Sequence, residues 1–135
     1  MDFFECMHKY LTENMEIKAV VNNRIYPFVL PQEPVLPSIV YQPINSVYPE
    51  NLQKHSGFVK QTVQFTIHDK TFGKSRTAGR KLKKLLQDFS GDMCGIHILA
   101  THLISDFMIG PSSQTQYDLQ AYSNILECVF EYMEE

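Results

Sequence analysis

The chain has 135 residues, of which 44% are hydrophobic, 12% aromatic and 20% charged, a balance that fits one globular domain spanning residues 1–135 and argues against two. Twelve Lys and Arg against fifteen Asp and Glu leave a formal charge of -3, so any attraction to nucleic acid or anionic membrane has to come from a local basic surface. No window reaches the roughly 18 apolar residues of a membrane span. The start, Met1-Asp2-Phe3-Phe4-Glu5, lacks the basic residues of a signal peptide, which predicts a soluble cytoplasmic product.

Phe3, Phe4, Met7, His8 and Leu11 recur at helical spacing after Asp2, and Asp2 with Glu5 forms a capping-box pair, so a helix opens the chain. Ile17, Ala19, Val20 and Val21 predict a short helical turn that breaks at Asn22-Asn23. Pro27, Pro31, Pro34, Pro37 and Pro43 then exclude helix and leave extended chain: a short edge strand over 25–30 and a longer strand over 38–47. The polar stretch 46–57 reads as an exposed, mobile loop. From Phe58 to His68, Val63, Phe65 and Ile67 alternate with Lys60, Thr62, Gln64, Thr66 and His68, the pattern of a half-buried antiparallel strand.

The period then changes to about 3.6. Ala78, Leu82, Leu85, Leu86 and Phe89 share one arc of a helix over 71–89, which Ser90-Gly91-Asp92 closes. Ile96, Ile98, Ala100 and Ile104 predict a strand over 96–104, followed by a second long loop over 106–118 around Gly110-Pro111. Tyr122, Leu126, Cys128, Phe130 and Tyr132 alternate with Ser123, Glu127 and Glu131 in a final strand over 119–133. The expected fold class is therefore α+β: an antiparallel-rich mixed sheet packed against two α-helices, with two long flexible loops.

Few constellations favour chemistry. Phe72-Gly73-Lys74-Ser75 lies between a strand and a helix, but His68 stands where a phosphate-binding loop needs its first glycine. His97 and His102, five positions apart on one strand, are expected on opposite faces and unable to converge with Cys94 on a metal. His8 reads as a core-edge residue and His68-Asp69 as a polar dipeptide at a strand end. The cysteines, Cys6, Cys94 and Cys128, are odd in number and widely spaced, which predicts reduced core thiols. No nucleophile elbow, zinc-binding helix or dinucleotide turn occurs, so no enzyme, cofactor or metal is expected.

Charge is less evenly distributed. Lys70, Lys74, Arg76, Arg80, Lys81, Lys83 and Lys84 cluster on one helix, and from Lys74 onward they cover the arc opposite the apolar stripe. Three readings remain open: a solvated helix face, an electrostatic interface with an acidic neighbour, and a contact with nucleic acid. The last two correspond to an oligomer or channel interface built from Lys74, Arg76, Arg80, Lys81 and Lys84 with Glu131 and Glu134 of the acidic C-terminus. Head-to-tail association of identical subunits would bring the two signs together.

The stretch Asn23-Arg24-Ile25-Tyr26-Pro27, then Pro31-Gln32, then Leu36-Pro37-Ser38-Ile39-Val40-Tyr41-Gln42, resembles the opening of the tail completion family of long-tailed bacteriophages, which includes tail-to-head joining proteins and tail terminators. The alternating strand at Val63 to Ile67, the helix Ala78 to Phe89, Tyr117-Asp118 and the strand Tyr122 to Tyr132 continue the resemblance. It implies a structural virion protein that assembles from monomers in the host cytoplasm into a ring, six-membered by family analogy. Such a ring caps the tail tube protein and docks on the head connector, with DNA only passing its channel and no membrane involved. Tyr48, Asn51, Lys54, His55, Ser112, Gln114 and Tyr117 are the expected assembly-loop residues, ordering on contact. The alternatives are a small nucleic-acid-binding module on helix 70–84 and an unrecognised small enzyme.

Overall fold

The computed structural model describes residues 2–48, 57–111 and 121–134. Helix α1 (Phe3–Glu13) opens as its sequence requires: Asp2 accepts from the Glu5 amide at 2.8 Å while Glu5 reaches back to the Asp2 amide. Its apolar stripe buries Phe3, Met7 and Leu11, and the Phe3 ring stacks on Tyr132 at 4.8 Å between centroids. Asn14 ends α1 and caps α2 (Met15–Val21) by accepting from the Ile17 amide, so the expected helical turn is a seven-residue helix in its own right. It buries only Ile17 and Val21, leaving Ala19 exposed.

A six-stranded sheet carries the rest: β1 (Ile25–Pro27), β2 (Ser38–Val47), β3 (Phe58–Asp69), β4 (Gly91–Met93), β5 (Ile96–Ile109) and β6 (Tyr122–Met133), in the order β1-β2-β3-β6-β5-β4. Among the described residues only β1 and β2 pair in parallel; every other neighbour is antiparallel. Between β3 and β4 runs α3 (Phe72–Leu86), started by Thr71, whose hydroxyl accepts from the Lys74 amide. Val63, Phe65 and Ile67 of β3 lie opposite Cys128, Leu126 and Asn124 of β6, and this face of the sheet packs beneath the helices to form the core. The architecture is α+β as expected, with three helices among the described residues instead of two.

Several expected boundaries move, each for a physical reason. β1 stops at Pro27 because Phe28 turns to φ 64, so 28–30 are not strand. β2 runs on through Ser46 and Val47, which pair with Gln61 and Lys60, so the loop expected from 46 begins later; its 49–56 portion lies outside the described residues. α3 ends at Leu86, not at 89, because Gln87 is extended and Asp88 takes φ 60. Phe89 nevertheless packs on the core, against Tyr10. Gly91-Asp92, expected to close that helix, forms β4, whose two-residue turn Cys94-Gly95 has positive φ at both positions (48 and 97), the geometry of a type I′ hairpin.

The largest correction concerns β5. It extends to Ile109, taking in Asp106, which the sequence places in a loop. Its register with β6 shifts between Ile98 and Ala100 and again between Leu103 and Ser105. Each inserted residue reverses the alternation. Ile104, expected to share a face with Ile96 and Ile98, is 56% exposed, while Thr101 is buried. The start of β6 at Tyr122 leaves 119–120 outside the described residues, together with 112–118 of the second loop.

Candidate functional site

The basic residues of α3 separate into two groups. Lys74, Arg80 and Lys84 are exposed, Lys81 is half-buried, and the helix buries Ser75, Ala78, Gly79, Leu82 and Leu86 opposite them. Lys84 shares the wall of a cleft with Tyr10, Glu13 and Glu16, so acidic side chains of α1 and α2 stand close to the end of the cationic ridge. Lys74 lines a separate groove with Val20, Pro37 and Thr77. Ser75 hydrogen-bonds the Ile67 carbonyl at 3.0 Å, so the Gly73-Lys74-Ser75 turn is an ordinary helix start.

Arg76 departs from the expectation of an outward-facing interface cation. Its Nη1 donates to both carboxylate oxygens of Asp106 at 3.0 and 3.1 Å and to Asn124 Oδ1 at 3.2 Å. Asn124 in turn donates to Asp106 at 2.8 Å and to the Phe107 carbonyl at 3.1 Å. Burial pushes the Asp106 carboxyl up, but the Asn124 and Arg76 hydrogen bonds and the charges of Arg76 and Lys83 outweigh it and hold the group below its usual value. The cation expected at an interface therefore ties α3 to β5 and β6 within one chain.

Glu131 is likewise engaged within the chain, by His102 across the β5–β6 pair. Glu134 is exposed, and its amide donates to the Gly57 carbonyl at 2.6 Å. Tyr48 is 46% exposed at the end of β2. Asn51, Lys54, His55, Ser112, Gln114 and Tyr117, the remaining assembly-loop candidates, lie outside the described residues.

On the sheet face away from the helices, a cleft of about 160 Å³ is lined by Phe28, Leu30, Val40, His68, Ser123 and Ile125 among others. His68 Nδ1 and Ser123 Oγ share a hydrogen bond at 2.8 Å, and burial pulls the His68 pKa down to about 4, so its ring is neutral. These partners are 55 positions apart, and the sequence reveals neither the pairing nor the cleft. The expected opposition of His97 and His102 is also corrected: the bulge at Leu99 restores both to this open face, where His102 engages Glu131. Among the described residues no three His, Cys, Asp or Glu side chains group closely enough to hold a metal.

The described surface carries apolar side chains as well as charge. Leu99, Ile104 and Phe107 are 42%, 56% and 43% exposed along β5, and β4 pairs only with Ile96 to Ile98, so the sheet edge continues beyond its partner. On the opposite side of the sheet, Ile44 and Val47 are exposed in β2 beyond its pairing with β1. Among the described residues no helix is long and apolar enough to cross a membrane.

No family model and no curated protein sequence matches the chain. The fold, however, has a solved counterpart. A chain in the structure of the virion of a native gene transfer agent (GTA) particle matches with a TM-score of 0.72, over 97% of this chain and 94% of that one. The two share a fold. Their sequences are 8% identical, so the likeness lies in architecture and not in individual side chains, and it extends over almost the full length of both.

Proposed function

We propose that this chain is a structural virion protein of the tail-completion kind, without catalytic activity of its own. Soluble monomers assemble into a ring that caps the finished tail tube and presents the surface on which the head connector docks. The observation that carries the reading is the near-complete structural match to a chain of a phage-like virion particle. The proline and tyrosine pattern from Asn23 to Gln42 supports the finer assignment to tail completion. Exposed Leu99, Ile104 and Phe107 supply apolar surface for subunit association, and the opposed signs of the α3 ridge and of Glu13, Glu16 and Glu134 supply its electrostatic complement. Arg76 and Glu131 have internal partners, which leaves Lys74, Arg80, Lys81 and Lys84 as the cations available to a neighbouring subunit.

Electron microscopy of particles from an infection with this gene disrupted tests the proposal. Overlong, headless tails are expected if the ring both stops elongation and joins; normal-length tails beside unattached, DNA-filled heads restrict it to joining. Normal infectious particles overturn the proposal. Within that assay, Lys81→Glu with Lys84→Glu is expected to lower the fraction of joined particles while leaving the purified chain folded. A nucleic-acid role for the same helix predicts instead an affinity for DNA that falls steeply with salt.

A further inference from the structure

Cys6 and Cys94 are 88 positions apart, yet the Cys6 thiol donates to the Cys94 carbonyl oxygen at 3.3 Å. Both line one cleft of about 640 Å³, alongside Asp2, His97 and Tyr132. Cys94 also lines the neighbouring cleft with Tyr10, which follows Cys6 by one helical turn, so the hairpin residue rests against the face of α1 that carries both. Cys94 stands at φ 48 in the β4–β5 turn, a conformation that favours Gly, Asn or Asp. Turn chemistry therefore gives no reason for a cysteine there. Cys6 is 1% exposed and Cys94 half-buried, so Cys94 is the more accessible residue of the pair. The expectation of three core thiols thus holds for Cys6 and Cys128 and fails for Cys94.

We propose that Cys6 and Cys94 form a disulfide when the chain meets an oxidised low-molecular-weight disulfide such as glutathione disulfide, pinning α1 to the β4–β5 turn. Cys94 gives up its proton and its thiolate attacks one glutathione sulfur. The glutathione S–S bond breaks, one glutathione leaves and takes up a proton, and a mixed disulfide remains on Cys94. Cys6 then leaves the Cys94 carbonyl, loses its proton to solvent and attacks the Cys94 sulfur, expelling the second glutathione, which is protonated. The two protein thiols are oxidised and one glutathione disulfide is reduced to two glutathiones. Burial and the nearby Cys94 push the Cys6 thiol up, so the second step is the slow one and accelerates as pH rises. Cys128, buried on β6 with its thiol pushed up to about 12, stays outside the reaction. One consequence, a joint assembled in a reducing cytoplasm and locked outside it, rests on the proposed virion role; the bond itself does not.

The test uses the full chain, purified in reductant and then incubated with glutathione disulfide. The expected product has lost two hydrogens per chain by intact mass and yields a Cys6–Cys94 linked peptide. Its melting temperature is expected to rise by roughly 5–15 °C, reversibly with dithiothreitol. Cys6→Ser is expected to stop at a glutathione adduct on Cys94, and Cys94→Ser, a change in a surface turn, to stay unmodified while folded. A wild-type chain that stops at the adduct, or that joins Cys94 to Cys94 of a second copy with Cys6 still free to alkylate, overturns the proposal.

Discussion

Gly79 looks in sequence like a mild defect in a helix, because glycine there costs about 1 kcal/mol relative to alanine. The fold reverses that judgement. A Cβ at this position would lie 1.8 Å from Asn124 Oδ1 and 2.7 Å from its Cγ, so the bare backbone is what lets α3 approach β6. That approach brings the Asn124 amide within reach of Asp106 and Arg76. Gly79→Ala should therefore lower the unfolding free energy by about 2–4 kcal/mol in urea titrations, because the methyl must displace a buried, hydrogen-bonded side chain. A variant as stable as the parent would show that helix and strand do not approach so closely. Nothing local marks this glycine, since its role depends on a strand that arrives 45 residues later in the numbering. The same holds for Asp106, whose partners come from α3 and β6.

At the level of elements, α3 is the most legible part of the chain. Its two faces differ in what they contribute, and single substitutions separate them. Leu82, fully buried, should cost about 2–5 kcal/mol on replacement by Ala, whereas Arg80→Ala on the exposed face should change stability by no more than about 0.5 kcal/mol. Denaturant midpoints of the two variants read the contrast directly. β3 and β6 are legible for a similar reason: they are central, pair in one unbroken register and have one face on the core, so their alternation survives over the whole length. β5 lies toward the sheet margin and carries bulges at Leu99 and Ile104, and a period-two pattern read across an inserted residue assigns the following side chains to the wrong face. β4 is too short for any periodicity to announce it.

For the molecule as a whole, two partly buried groups contribute to how stability depends on pH. His68 has a folded pKa near 4 against 6.5 for the free side chain, so below about pH 6.5 the unfolded chain binds a proton that the fold refuses. Stability should fall by about 2–3 kcal/mol between pH 6.5 and 4 and then level off for this group. Asp106 acts in a lower window: its depressed pKa contributes stability above the ordinary carboxylate value of 3.8, lost as pH drops through the folded one. Urea midpoints measured from pH 7 down to 4 should decline in the parent and stay flatter in His68→Gln. Equal slopes in the two would remove His68 as the cause.

Sequence alone determined the fold class, the first helix with its cap, the amphipathic α3 and the two central strands, because hydrophobic period and capping chemistry are local and each segment carries its own. It also placed the cationic ridge, since residues on one helix keep their spacing whatever surrounds them. Tertiary structure alone decided which of those cations is used internally. Arg76 meets Asp106, His68 meets Ser123 and Cys6 meets Cys94 only after six strands are ordered and their registers set. Polar partners separated by 30, 55 and 88 positions are matters of register, and a single bulge can reverse which side chains face one another.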